Sequence, residues 1–278
     1  MLDVVINHTS IYHPYAQHCI KKGSKSRYYD YYQQRKDSKP YASFYKKTKA
    51  GFIVYFWEDL VNLNYDNPKV QYWILNHLKH WVNKYDIDGY RFDAIWGVLA
   101  RNPDFIKTMN QELKKLNPDL LLLAEAKGAD LGIYQAGFDA AYDWTADTNW
   151  VSQWVWEYDY ASGTTIFNNP DPEKAAHIFK NSIFSSQYPH RKLRFIENND
   201  HARFIEQHGA AKTKMAAALI FSLPGMPMLY NGQEIGVDIH PYDGAATFER
   251  NKKIRTQGDT SLYEFYQTLI SLRKAHPS

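Results

Sequence analysis

The sequence contains one cysteine, Cys19, in 278 residues. A single thiol closes no intrachain disulfide, which leaves the redox compartment open. Its place in a polar stretch that reads as a loop gives it no catalytic role. Also absent is an uninterrupted apolar run of about 18 residues, so no membrane span is expected. The opening residues Met1-Leu2-Asp3-Val4-Val5-Ile6-Asn7-His8 lack the basic head and small-residue cleavage site of a secretory signal, and read as a buried strand. Localisation stays undecided between cytoplasmic and exported. An excess of one charge is missing too: 33 Lys and Arg against 30 Asp and Glu leave a net +3. That is too little for the electrostatic footprint of a nucleic-acid binder, and no nucleic-acid partner is expected. The most basic stretch, Lys21-Lys22-Gly23-Ser24-Lys25-Ser26-Arg27, reads as a solvated loop. No internal repeat and no low-complexity tract is found.

What the sequence does have is aromatic side chains, at 16% of residues with 22 Tyr and 8 Trp, beside 44% hydrophobic residues overall. Such a chain can bury a large core, in one α/β barrel or two smaller domains. Aromatic rings also serve as flat platforms for the C–H faces of sugars. Composition alone does not choose between core and platform.

Short β-branched or leucine-rich runs alternate with helical patterns, which signals a parallel sheet built from strand-helix units. The candidate strands are 2–7, 88–93, 120–125, 137–142, 193–198 and 227–231. Residues 68–85 carry Val70, Trp73, Ile74, Leu78, Trp81 and Val82 at helical spacing behind Pro68, which suits a first helical turn. Residues 103–116 repeat the device, with Asn102 as cap and Pro103 first. Asp171-Pro172 opens a third helix, and Ser261 with Glu264 forms a capping box for a last one. Residues 10–66 break the alternation; so long an excursion is usually functional and reads as a subdomain protruding from the rim.

Polar residues gather at the carboxyl ends of these strands: Asn7 and His8, Arg91 and Asp93, Glu125, then Asn198, Asn199 and Asp200. In a parallel barrel all carboxyl ends open on one face, where catalytic sites lie. Splitting a glycosidic bond takes an acid to protonate the leaving oxygen. A retaining mechanism adds a carboxylate nucleophile about 5 to 5.5 Å away. Each acid alone has a structural alternative: Asp93 as the partner of Arg91 in an ion pair, Asp200 as a helix cap, Glu125 as a loop anchor. Three strand-end carboxylates with a His and an Arg are harder to explain that way, because burying that much charge is costly.

Asp3-Val4-Val5-Ile6-Asn7-His8, Gly89-Tyr90-Arg91-Phe92-Asp93-Ala94, Leu122-Leu123-Ala124-Glu125 and Phe195-Ile196-Glu197-Asn198-Asn199-Asp200 resemble, in order, the four conserved regions of the α-amylase family of glycoside hydrolases. Leu60-Val61-Asn62-Leu63-Asn64 is similar to a further short motif of that family. The resemblance implies an α/β fold, a partial (β/α)8 TIM barrel of strands 3 to 8. Residues 1–9 would form strand 3, 10–66 the inserted rim subdomain, and 67–278 the remainder of the catalytic barrel. It implies Asp93 as nucleophile, Arg91 holding it ionised, and Glu125 as general acid and then base. Asp200 would bind the 2- and 3-hydroxyls and His8 the 6-hydroxyl of the sugar, and the partner would be an oligosaccharide or α-glucan.

The chain departs from the family pattern in places. Asn199 stands where the family has His before the third acid, which retunes transition-state binding. Ala94-Ile95-Trp96-Gly97 lacks the Lys and His that hold the leaving glucan in α-amylases, so the expectation shifts away from plain starch cleavage. Trp96 becomes either an acceptor-side stacking surface or a core residue. Asn7 matches a calcium ligand, but Asn62 replaces its carboxylate partner. No cofactor is required for the chemistry, and a structural calcium is an open expectation one carboxylate short. By the motif order the first two strand-helix units would precede Met1. Six strands then leave open sheet edges, and impaired folding and activity are expected of this chain alone. The alternatives are a non-catalytic amylase-like protein, either associated with a transporter or binding carbohydrate silently.

Overall fold

The computed structural model describes residues 1–33, 46–54, 57, 59–143, 173, 188–200, 202–241 and 260–276. The chain divides into two compact units, residues 1–126 with 130–141, and 127–129 with 142–278.

In the first unit, β1 (Leu2–Val5), β6 (Gly89–Asp93) and β7 (Leu121–Lys127) form a parallel sheet in that order. Asp3 lies opposite Arg91 and Val5 opposite Asp93, while Arg91 lies opposite Leu123. Side chains alternate between faces, so Asp3, Arg91, Asp93 and Glu125 share one face. β6 and β7 approach closely at Gly89, where an added Cβ would meet the Leu121 carbonyl oxygen at 2.5 Å. Only glycine fits there.

The strand expected over 2–7 ends at Val5, because the next carbonyls leave the ladder. The Tyr65 hydroxyl donates to Ile6 O (2.5 Å) and Leu63 N to Asn7 O (3.1 Å). His8 then enters a second, antiparallel sheet ordered β2 (His8–Ser10), β5 (Leu60–Asn62), β4 (Ile53–Val54) and β3 (Lys46–Lys47). Between its strands lies α1 (Pro14–Lys22), which holds Cys19 buried beside Ser26. The loop expected around Cys19 is thus a helix, closed at Gly23 (φ 54°). Helix and a following 3-10 turn also occupy the basic stretch, whose residues other than Ser26 are exposed.

Helix α2 (Pro68–Tyr85) spans the expected range, with Asn67 capping Lys69 N and Val70, Ile74, Leu78 and Val82 buried. It ties to the sheet where the Tyr90 hydroxyl donates to Leu78 O (2.7 Å). After β6 come α3 (Ile95–Arg101), unforeseen, and α4 (Pro103–Leu116), capped at Phe105 N by Asn102 Oδ1 as expected. Glu112 on α4 receives Lys79 from α2 at 2.6 Å. β7 runs to Lys127, two residues beyond its expected end, and α5 (Leu131–Gln135) follows. The strand expected over 137–142 is shorter, β8 (Ala140–Tyr142); just before it Asp139 N donates to Leu122 O (2.9 Å).

In the second unit, Asp143 N donates to Leu193 O (3.0 Å) of β9 (Lys192–Arg194). β9 pairs in parallel with β10 (Met226–Pro227), Met226 opposite Leu193 and Pro227 opposite Arg194. These strands are shorter than the expected 193–198 and 227–231. Pro227 has no N–H to extend the ladder, and only Met228 N still reaches Arg194 O (2.7 Å). Helix α6 (Phe204–Ser222), broken at Gly209, packs on α7 (Thr260–Ala275) through Phe204, Ala217, Ile220, Leu262 and Tyr266. Arg273 caps the end of α6 by donating to Phe221 O, Leu223 O and Gly225 O. Ser261, expected as the cap, lies inside α7 and accepts from Lys214 Nζ (3.2 Å). The helix expected from Asp171-Pro172 lies outside the described residues.

Candidate active site

Arg91 organises the carboxyl end of the first unit's parallel sheet. It is buried, and its Nη1 donates to Asp93 Oδ1 (2.8 Å) and to Asp3 Oδ1 (2.9 Å). Its Nη2 lies 2.7 Å from Glu125 Oε1. One guanidinium therefore bridges the two acids on neighbouring strands, whose backbones run about 4.8 Å apart. A planar fork suits this geometry better than an ammonium. The sequence assigned Arg91 to Asp93 alone; its hold on Glu125 and Asp3 requires the strand register to be known.

Glu125 is buried, and its second oxygen accepts from Ala94 N (2.6 Å). That amide points at Glu125 because Ala94 adopts a left-handed backbone, φ 43° and ψ 35°, as β6 turns into α3. For a residue with a Cβ this conformation costs about 1–2 kcal/mol. Trp96, in the first turn of α3, is half-buried.

Asn7 is fully buried and takes Arg101 Nη2 on both its side-chain oxygen (2.6 Å) and its carbonyl oxygen (3.1 Å). Asn7 Nδ2 contacts His8 Nδ1 at 3.1 Å. Burial pulls the His8 imidazole below its ordinary range; Asp93 opposes that shift and Arg101 adds to it. Arg101 went unnoticed in the sequence. The available signal was a cation ending the otherwise apolar run Ile95-Trp96-Gly97-Val98-Leu99-Ala100.

These contacts test the expected calcium ligands. Calcium takes about six to eight oxygens, generally including carboxylates. Asn7 already gives its oxygens to a guanidinium, and Asn62 donates its Nδ2 to Gln33 Oε1 (3.3 Å). Asn62 Oδ1 is a buried oxygen without a hydrogen-bond partner, and a single neutral oxygen does not make a calcium site. The residues at these positions do not fit the metal. Among the described residues no group of three or more His, Cys, Asp or Glu is placed to hold one.

In the second unit, Asn198 Oδ1 accepts from Asp200 N (2.8 Å), and Asn199 Nδ2 donates to Asp200 Oδ1 (3.0 Å). Asn198 is buried, whereas Asn199 and Asp200 are exposed. The Asn198 side chain thus closes an Asx-type turn at Asp200. The preceding Glu197 is buried against Arg203 Nη1 and Phe204 N, both at 2.8 Å, and it is Glu197 that serves the start of α6. A second buried pair joins Arg194 Nη1 to Asp143 Oδ2 (2.8 Å).

Two acids on adjacent parallel strands of an α/β fold thus share one guanidinium at the strands' carboxyl ends. The model of the family described as Alpha amylase, catalytic domain, matches residues 1–249. The chain belongs to the α-amylase family. It is 28% identical over 247 residues to Alpha-amylase 3 of Dictyoglomus thermophilum, covering 86% of this chain and 47% of that protein. It is 27% identical over 286 residues to a cyclomaltodextrinase of a Bacillus species, covering 99% and 47%. A solved cyclomaltodextrinase structure superposes with a TM-score of 0.75 at 25% identity, covering 99% of this chain and 45% of that one. The fold is accordingly α/β, with parallel strands belonging to part of a (β/α)8 barrel. The chain spans about half the length of these curated relatives. No helix among the described residues is long and apolar enough to cross a membrane.

Proposed function

We propose that the chain carries the catalytic acids of a retaining glycosidase or transglycosylase acting on α-glucosidic bonds of short α-glucans. The observation that carries this reading is Arg91 bridging Asp93 and Glu125 on neighbouring strands. Adjacent strands lie about 4.8 Å apart, a spacing compatible with the short carboxylate separation of a retaining mechanism. The relatives named α-amylase and cyclomaltodextrinase support the α-glucan class.

In this mechanism Asp93 attacks the anomeric carbon while Glu125 gives its proton to the leaving oxygen. Glu125 then takes the proton of water or of an acceptor hydroxyl, which displaces Asp93 from the sugar. Glu125 Oε2 accepts from Ala94 N while Oε1 lies in the ion pair with Arg91, so protonating the leaving group requires one oxygen to leave its contact. His8 binds the sugar's 6-hydroxyl, and Trp96 offers a stacking surface on the acceptor side. The family motif adds Asp200 for the 2- and 3-hydroxyls, with Asn199 beside it. Catalysis requires no cofactor.

The test is the anomer first released from a maltooligosaccharide, followed by proton NMR: retention gives the α-anomer. Asp93→Asn lowers kcat on an aryl α-glucoside by about 10⁴-fold or more. Glu125→Gln spares covalent labelling by an activated glycosyl fluoride. Release of the β-anomer, or undiminished hydrolysis by the Asp93 variant, overturns the reading.

A further inference from the structure

The Asn7 side chain is an amide, whose oxygen and nitrogen are distinguished by what they face. A guanidinium has only donors, so the atom that Arg101 Nη2 meets at 2.6 Å is the amide oxygen. The NH₂ then faces His8 Nδ1 at 3.1 Å as a donor. An Nδ1 that accepts carries no proton, so the imidazole proton sits on Nε2.

We propose that Arg101 is a positioning residue that replaces a metal ion at this site, fixing the Asn7 amide and through it the His8 tautomer that presents Nε2–H to a substrate hydroxyl. The charge logic supports the replacement. A calcium ion and a guanidinium sharing Asn7 Oδ1 would repel each other in a buried setting, where like charges are poorly screened. Arg101 is itself fixed by its surroundings. It is buried at the end of α3, and its guanidinium lies 5.7 Å over the Tyr65 ring, within cation–π range. Tyr65 in turn holds Ile6 O through its hydroxyl, and its carbonyl accepts Asn102 Nδ2 (2.9 Å). The cation therefore arrives on a helix packed against the segment that carries Asn7 and His8. Unlike a bound ion it cannot be chelated away.

The inference rests on the glycosidase reading for the use of Nε2–H, but the tautomer and the metal independence are measured without turnover. In the full chain with ¹⁵N-labelled histidine, long-range ¹H–¹⁵N spectra give the His8 ring state, with His8→Gln identifying its signals. The expected result is a single Nε2-protonated form that millimolar calcium or a chelator leaves unmoved. His8 signals that shift on adding calcium alone overturn the replacement, and this measurement needs no variant at Arg101. Arg101→Met is expected to give two exchanging tautomers, while Arg101→Lys, still a donor-only cation, keeps one. An unchanged His8 spectrum in Arg101→Met overturns the positioning role. If Arg101→Met does not fold, His8 in the Arg101→Lys chain decides: a mixed tautomer there overturns it, and a single Nε2-protonated form supports it.

Discussion

Ala94 is the residue where local preference and site geometry conflict. Its left-handed backbone is unfavourable for a residue with a side chain, yet it turns the amide toward Glu125 Oε2. We expect Ala94→Gly to raise stability by about 1 kcal/mol, because glycine adopts this conformation without the steric cost. A thermal melt checks this, and a lowered Tm would mean that the Ala94 methyl packing outweighs the strain. The strand-end acids and Arg91 were legible as motif positions. Two facts about them were not. Arg91 serves three carboxylates rather than one, because its partners come from β1 and β7 across the register. The cation on Asn7 comes from 94 residues away in the chain, a separation that no local pattern encodes.

At the scale of elements, helices α2 and α4 were readable to the residue, since each begins with an Asn cap followed by Pro and buries a stripe at helical spacing. Helix α6 was missed, because small alanines on much of its surface blunt the periodic contrast. It carries a pH dependence of its own. Burial, with Lys212 adding, pulls His208 down to about 4, and its ring lies 4.4 Å from that of Phe204. An unfolded imidazole titrates near about 6.5, so protonation favours the unfolded chain. The His208 contribution is complete above the unfolded value and is lost as pH falls toward 4. Replacing His208 with Gln should flatten that part of the Tm-against-pH curve, and an unaltered acid slope would assign the loss to other groups. The short β9 and β10 show the opposite limit: the apolar runs extend further than the ladder, to which Pro227 brings no N–H.

Over the whole molecule, residues 1–249 match the family model while the chain divides into two compact units. Such a division predicts a calorimetric unfolding enthalpy larger than the van't Hoff value, whereas equal enthalpies would show one cooperative transition. The aromatic residues that composition left unassigned divide between core and surface. Tyr65, Tyr90, Phe92 and Phe195 are buried, whereas Tyr15, Tyr31 and Trp73 are half-buried and line a surface cleft of about 640 Å³ with the exposed Tyr72. The sequence alone determined the alternation of strands and helices, the family, and the place of Asp93 and Glu125 toward the carboxyl ends of β6 and β7. Those depend on local spacing and on contiguous motifs. Tertiary structure alone decided that Arg91 ties Asp93 to Glu125, that Ala94 turns its amide toward Glu125, and that Arg101 holds Asn7. Those depend on which strands lie side by side and where a helix returns a distant cation, and chain order does not specify either.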